Sequence, residues 1–579
     1  MKNIIATLLC VLTMSSCNDF FDIAPTGSVP YENYDVKLNS LRITLNSLYA
    51  LLQTEGYQQS ELIFGECMSD NAYTGQDNSG GELGQLLNFE FNTENSFIKS
   101  RYELNFRGIN IANQIISATP KVLYNVNYPE GAKVIREVLG QAKLFRALFY
   151  FNLVRTFGGV SIQPEISELR TNVIPRATSD EIYALIEKDL REACLLLYRD
   201  RYKDGAAGQA SVGAGFGLLL KVLVYQASPG TKLVSPNRNK KWQEAKEIAE
   251  LFIDGKVLSY DQILKFTERY NDETWEVLCK RLALTDQNPT QETMFPASDV
   301  ANVHGLIDYS QIFRLKNRFN RESLLEINHY DYSASGSSVD KKNYLYACFN
   351  GNQNRAVGPS PTREVYELRA KDPRGIYIAK SQSDNADFYK DENGDYVNIG
   401  WYNIAYGYAF CKYMVFNTEG SVEQRTYLIM RYAEAILFYA EILNETGDQV
   451  KATDVLNRIR ARAKKLLDPT HPDSKYNNHI TSFPLYSVMP FEEMRKNIRY
   501  ERRVELVAEF DRWYDLQRLG LLTERMAYLD SKNPEAADKN SGRQRWRGRY
   551  FRPGVNEIMP IPQYEITISN GIVQQNFGY

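Results

Sequence analysis

Histidine is nearly missing from this 579-residue chain. There are four, His304, His329, His471 and His479, and no H-E-x-x-H joins any two of them. Zinc-hydrolase chemistry therefore has no foothold. Cysteine is scarce as well. After Cys17 come Cys67, Cys194, Cys279, Cys348 and Cys411, an odd number with no C-x-x-C spacing. That pattern argues against a disulfide framework and against a structural zinc site, so no metal or cofactor is expected. Neither sign of charge dominates. The 68 Lys and Arg against 71 Asp and Glu leave a formal net charge of -3, which removes the electrostatic case for nucleic-acid binding. Tryptophan is rare too, 5 residues against 39 Tyr. Such a Tyr excess suits a wet binding surface, because Tyr offers an apolar ring and a polar tip, although most single Tyr residues are packing residues.

Long apolar runs are also lacking. The one at the N-terminus, residues 4–14 after Lys2, is too short to span a membrane and reads as a secretory signal over residues 1–16. Ser15 and Ser16 stand directly before Cys17, as in a lipobox, so Cys17 is the expected site of lipidation and a lipid tether for the chain, with a plain secreted protein as the alternative. Two or more acyl chains anchor a protein stably, each CH₂ contributing about 0.8 kcal/mol.

What the chain has in plenty is helical patterning. Ile429, Ala433, Ile436, Ala440 and Leu443 recur at steps of four and three, one face of a helix with 3.6 residues per turn. Asn444, Thr446, Gly447 and Asp448 break it, and Ala452, Leu456, Ile459 and Ala463 begin a second stripe. This is a helix pair of about the length of a tetratricopeptide unit, roughly 34 residues. One pair cannot bury its own apolar face and needs stacked neighbours. Further helices are predicted over 36–53, 95–118, 133–157, 179 onward with Ser179 as N-cap, 211–227 and 242–258, and Gly158-Gly159 should end the third. A last helix is predicted over 497–519, with Val504, Val507, Phe510 and Tyr514 inward and local ion pairs Arg502–Glu505 and Glu509–Arg512. The expected fold is mainly α, a TPR-like scaffold of about four helix pairs. It divides into 17–258 and 424–579, which form one body, and a loop-rich middle over 259–423 where the helical period fails. A stretch so long and irregular is usually functional, and loops on a rigid scaffold are where recognition sits.

These stretches together resemble the SusD/RagB family of outer-membrane nutrient-binding lipoproteins over nearly the whole chain. The resemblance is carried by Cys17 with Asp19, Phe20, Phe21, Asp22 and Pro25, and by Arg136, Glu137, Ala142, Arg146, Ala147, Tyr150, Phe157, Gly158 and Gly159. Further blocks are Pro175 to Leu190, Arg431 to Glu441, Arg499 to Arg518, Pro560-Ile561-Pro562, and Gln575, Asn576, Gly578 and Tyr579. Ser161 and Phe577 stand where Pro is common in the family. The resemblance implies a surface lipoprotein that lids a SusC-like TonB-dependent outer-membrane transporter and hands it oligosaccharides or, in some members, peptides.

Glu505 and Glu509 lie one turn apart, but glycosidase carboxylates flank a bond across a cleft, about 5–5.5 or 6.5–9.5 Å apart. Hemmed by Arg502 and Arg512, they read as an ion-pair network, and no catalytic residue is expected. A non-catalytic oligosaccharide-binding protein is the leading reading, a peptide-binding one stays open, and a surface glycoside hydrolase is the third. Sugars present CH faces and hydroxyls, so a site needs aromatic platforms beside polar groups. The Gly-rich segment 70–84, expected to be loop, offers Asp70, Asn71 and Tyr73, and the middle region offers Trp275, Tyr309, Tyr330, Tyr332 and Tyr344.

Overall fold

A computed structural model of the chain describes residues 38–74, 81–123, 130–164, 173–197, 208–230, 237–255, 304–314, 317–328, 359–381, 388–390, 396–398, 408–413, 426–467, 480, 482–532, 548 and 550–579. The scaffold helices are α1 (Leu38–Leu52), α2 (Glu55–Leu62), α3 (Glu82–Leu87), α4 (Ser96–Leu123), α5 (Glu130–Phe157), α6 (Ser179–Leu196), α7 (Val212–Ala227) and α8 (Arg238–Ile253). After the middle region, which holds the one-turn α9 (Arg363–Tyr366), come α10 (Tyr432–Glu445), α11 (Gln449–Lys464), α12 (Phe491–Leu506), α13 (Arg512–Arg518), α14 (Leu522–Lys532) and α15 (Gln563–Ile568). From α4 to α8 each helix packs on the next, α10 then packs on α8, and α11 and α12 pack on α10. The chain is mainly α with a TPR-like scaffold, as its periodicity predicts.

The predicted helix pair is α10 and α11. Gly447 turns between them at φ +89°, and the Asp448 side chain caps α11 by accepting from Lys451 N at 3.0 Å. Ala433, Ala440 and Ala452 are fully buried. Every α10 residue from Tyr432 to Asn444 is buried, so this helix is wrapped on all sides. Its two buried carboxylates survive there because each meets a cation: Glu434 Oε1 lies 3.1 Å from Lys221 Nζ, and Glu441 is bidentate with Arg518 at 2.7 and 2.9 Å. The family-like residues Arg146, Asp189 and Asn113 also meet in the core. Arg146 binds both Asp189 oxygens at 2.6 and 2.8 Å and donates to Asn113 Oδ1 at 2.9 Å, tying α4, α5 and α6 together. At the C-terminus, Asn576 donates to the carbonyls of Phe157 and Met559 at 2.8 and 2.7 Å and accepts from Arg176, docking the tail on the end of α5.

Several expectations are corrected. Ile429 does not begin the helix but lies in a strand, Tyr427–Arg431. Thr178, not Ser179, is the N-cap of α6, in a capping box with Glu181. The segment 70–84 is not all loop, since it contains a strand, Ala72–Thr74, and the start of α3. The helix predicted over 497–519 is two helices, α12 and α13, because Ala508 and Phe510 take left-handed φ of 63° and 66°. Distant side chains hold that break by claiming its backbone. Lys412 Nζ donates to the carbonyls of Glu505 and Val507 at 2.7 and 2.9 Å, Tyr413 Oη donates to Ala508 O at 2.7 Å, and Ala508 N donates to Glu66 at 3.0 Å.

The predicted local ion pairs are replaced by tertiary ones. Glu505 meets Arg374 and Arg431 at 3.0 and 2.6 Å and also Arg462. Glu501 meets Arg374 and Arg460 at 2.6 and 2.7 Å, Glu322 meets Arg431 and Arg462 at 2.7 and 2.8 Å, and Glu509 meets Arg431 at 2.6 Å. Asp372 and Lys412 complete the set. Five carboxylates thus face five cations, with no net charge to desolvate. Burial opposes the charge on Glu505, but Arg462, Arg431 and Arg374 outweigh it and hold its carboxyl well below the usual range. Burial pushes the Lys412 ammonium down to about 8, with Glu509 opposing. Glu322, Asp372, Arg374 and Lys412 come from the middle of the chain, so this network fastens the middle to α11 and α12.

The middle also carries short antiparallel pairs. β1 (Ala72–Thr74) pairs with β3 (Pro359–Pro361), β2 (Ser323–Ile327) with β8 (Tyr427–Arg431), β4 (Ala379–Ser381) with β7 (Tyr408–Phe410), and β5 (Phe388–Lys390) with β6 (Tyr396–Asn398).

Candidate ligand-binding site

The expected site residues fall into three groups. Trp275, Tyr330, Tyr332 and Tyr344 lie outside the described residues. Tyr309 is 2% exposed and packs edge-on against Tyr377, with ring centroids 6.1 Å apart. It is a core residue of a small satellite cluster with Ile312, Ile376 and Cys411, not an open platform. Asp70, Asn71 and Tyr73 sit together at the junction of α2, β1 and β3.

That junction is built locally. After α2 the chain makes a π-helical turn, Ile63–Cys67, and Gly65 passes so close to Phe510 that a Cβ there would lie 1.8 Å from its carbonyl oxygen. The turn delivers Asp70 to the start of β1. Asp70 is fully buried, and both carboxylate oxygens are taken. Arg512 Nε donates to Oδ1 at 2.7 Å, Arg512 Nη2 to Oδ2 at 3.0 Å, and Arg525 Nε to Oδ2 at 2.7 Å. Burial opposes its charge, but Arg503 and Arg512, then Arg525, hold the carboxyl far below the usual range. Asn71 is equally buried, donating to Glu66 and accepting from Arg503, each at 3.0 Å. Asp70 and Asn71 thus anchor the strand in place of the ligand contact expected of them. Tyr73 is 6% exposed, opposite Ser360 in β3.

Around this anchor lie groups that spacing alone does not single out. Glu364 on α9 is 37% exposed and bonds to Arg503 and, at 2.6 Å, to Arg525. Tyr528 on α14 is 41% exposed beside the Arg525 guanidinium, 4.7 Å from its ring centroid. Tyr366 at the end of α9 stacks on Tyr408 of β7 at 4.4 Å, with Tyr366 Oη 3.3 Å from Ser381 Oγ of β4. Half-buried aromatics beside fixed polar groups are the chemistry that sugar or peptide recognition uses. By contrast, an interior cavity lined by Tyr57, Glu61, Arg155, Lys221 and Asp511 measures about 30 Å³. That is room for one or two waters and too little for a sugar ring. Among the described residues no His, Cys, Asp and Glu cluster could hold a metal, and no helix is long and apolar enough to cross a membrane.

Comparison with known proteins agrees with this architecture. Residues 284–579 match the model of the SusD family, and residues 19–222 match a second model described as starch-binding associating with outer membrane. SusD-like protein P2 of Formosa agariphila is 23% identical over 99% of both chains, and SusD-like protein P38 of the same organism is 22% identical over 91% of this chain and 94% of its own. Among solved structures, a SusD homolog from Bacteroides thetaiotaomicron superposes with a TM-score of 0.70 at 19% identity, covering 95% of this chain and 98% of that one. A laminarin binding SusD-like protein gives 0.62 at 23% identity over 93% and 99%, and surface glycan-binding protein A from Bacteroides fluxus gives 0.62 at 20% over 93% and 99%. The fold is shared with all three. With the family model matched over more than half of its length, the chain belongs to the SusD family.

Proposed function

We propose that this protein binds oligosaccharide at the cell surface without cleaving it and delivers it to a SusC-like TonB-dependent outer-membrane transporter, held to the membrane through acylated Cys17. The observation that carries the reading is family membership, joined by fold neighbours named for binding laminarin and surface glycan. The model description of outer-membrane association over residues 19–222 supports the location. The buried, saturated pairing of Glu505 and Glu509 leaves those acids unable to serve as a hydrolytic pair. The ligand surface is proposed on the β1 segment and the middle region, with Tyr73 and, outside the described residues, Trp275, Tyr330, Tyr332 and Tyr344 as its aromatic residues. The excess of Tyr over Trp keeps a peptide ligand as the second reading. Calorimetry with a panel of oligosaccharides and a peptide pool separates them. Heat from a glycan alone is the expected result, and heat from peptides alone overturns the reading.

A further inference from the structure

Three arginines meet two carboxylates at the surface beside β1. Arg512 and Arg525 both bind Asp70 Oδ2, at 3.0 and 2.7 Å, so their guanidinium groups are fixed side by side. Arg503 reaches the same oxygen at 3.4 Å and donates to Asn71 Oδ1 at 3.0 Å. Arg503 Nη1 and Arg525 Nη2 then converge on Glu364, the latter at 2.6 Å. Three cations against two anions leave one positive charge in the cluster.

The two carboxylates are not equivalent. Asp70 is fully buried and cannot leave. Glu364 is 37% exposed and sits on a four-residue helix. An ion pair that open is worth little, whereas the guanidinium groups that hold it are only 12–19% exposed and are locked in place by Asp70. Arginine forks held rigid recognise a carboxylate or sulfate through paired, charge-assisted hydrogen bonds. Nη1 of Arg512 and Nη1 of Arg525 take part in none of the bonds above. The exposed ring of Tyr528 stands next to Arg525, giving an apolar face beside the cations.

We infer that the Arg503–Arg512–Arg525 cluster is an anion-recognition site for a carboxylate-bearing sugar, and that Glu364 is a built-in occupant which the ligand's own carboxylate displaces. The inference rests on the glycan-binding reading above and adds the substrate class, an acidic oligosaccharide. A neutral glycan gains nothing by displacing Glu364, since it brings no charge to replace the one removed.

The test is calorimetry of the full chain, its Glu364→Gln variant and its Arg525→Gln variant with three probes: a galacturonic acid pentamer, a neutral laminaripentaose and a pentaglutamate peptide. Melting temperatures confirm that each variant is folded. The ratio of acidic to neutral saccharide affinity should rise about fivefold in Glu364→Gln, the size of effect expected for removing a partly exposed carboxylate from its ion pairs. It should fall about tenfold in Arg525→Gln, through loss of charged hydrogen-bond donors. An unchanged ratio in Glu364→Gln overturns the inference, and so does a gain seen for the glutamate peptide and not for the uronate. If the natural chain binds laminaripentaose while the ratio stays fixed, the inference falls and the glycan reading stands. If it binds neither saccharide, the inference falls, and the oligosaccharide panel above decides the glycan reading.

Discussion

Glu66 offers the sharpest physical test of how the two halves of the chain are joined. It lies on the π-helical turn Ile63–Cys67 with no exposed surface, and its Oε1 accepts from Asn71 Nδ2 and Ala508 N, both at 3.0 Å. Burial pushes its carboxyl from an ordinary 4.5 up to about 7, with hydrogen bonds from Ala508 and Asn71 and the charge of Lys412 opposing. The folded state therefore keeps a proton that the unfolded chain gives up. This group's contribution to stability is complete below about pH 4.5, declines as pH rises to about 7, and is constant beyond. A shift of that size corresponds to about 3 kcal/mol. Glu66→Gln is neutral at every pH and keeps the carbonyl acceptor for Asn71 and Ala508. Any fixed cost of its amide cancels between pH values. Urea unfolding of both proteins at pH 5 and pH 8.5 should show the variant gaining about 2–3 kcal/mol relative to the natural chain between the two. The same difference at both pH values would refute an ionising, desolvated Glu66.

Other expectations follow from the same packing. Gly65→Ala places a methyl group against the Phe510 carbonyl, and should cost about 1–3 kcal/mol by overpacking, read as a lowered urea midpoint. Leu437→Asp buries an unpaired charge in α10, where Leu437 has no exposure. A loss of about 4 kcal/mol or more is expected, and an unchanged melting temperature would contradict the central position of α10. Cys17→Ala should move the protein from membranes to the soluble fraction. A variant still bound after high-salt washing would place the anchor elsewhere.

The long scaffold helices were legible in the sequence because they carry apolar stripes. Helices α5 and α10 also carry their own stops, Gly158 at φ +72° and Gly447 at φ +89°, whereas the short α2, α3, α14 and α15 carry no stripe long enough to read. The break between α12 and α13 was not legible. Val504, Val507, Phe510 and Tyr514 are all buried as periodicity predicts, yet what interrupts the helix is Lys412, Tyr413 and Glu66, from other parts of the chain. Charge partners were hidden for the same reason. Residues 502 and 505 sit at local pairing distance, but Arg502 binds Asp515 and Glu505 binds Arg374, Arg431 and Arg462. Asp70 shows the converse error: a Gly-rich, polar neighbourhood reads as an open loop, while three arginines from α12, α13 and α14 bury it. Glu364 carries no spacing signal at all, and only the fold brings it to Arg503 and Arg525.

The proposed role of this protein is binding without turnover. The direct measurement is native electrophoresis of the purified protein through gels containing laminarin or pectic glycans, followed by chromatography of end-labelled oligosaccharide incubated with the same preparation. Retarded migration in a glycan-containing gel together with intact labelled oligosaccharide is the predicted result. Unretarded migration in every glycan gel, or shortened labelled products, would contradict it.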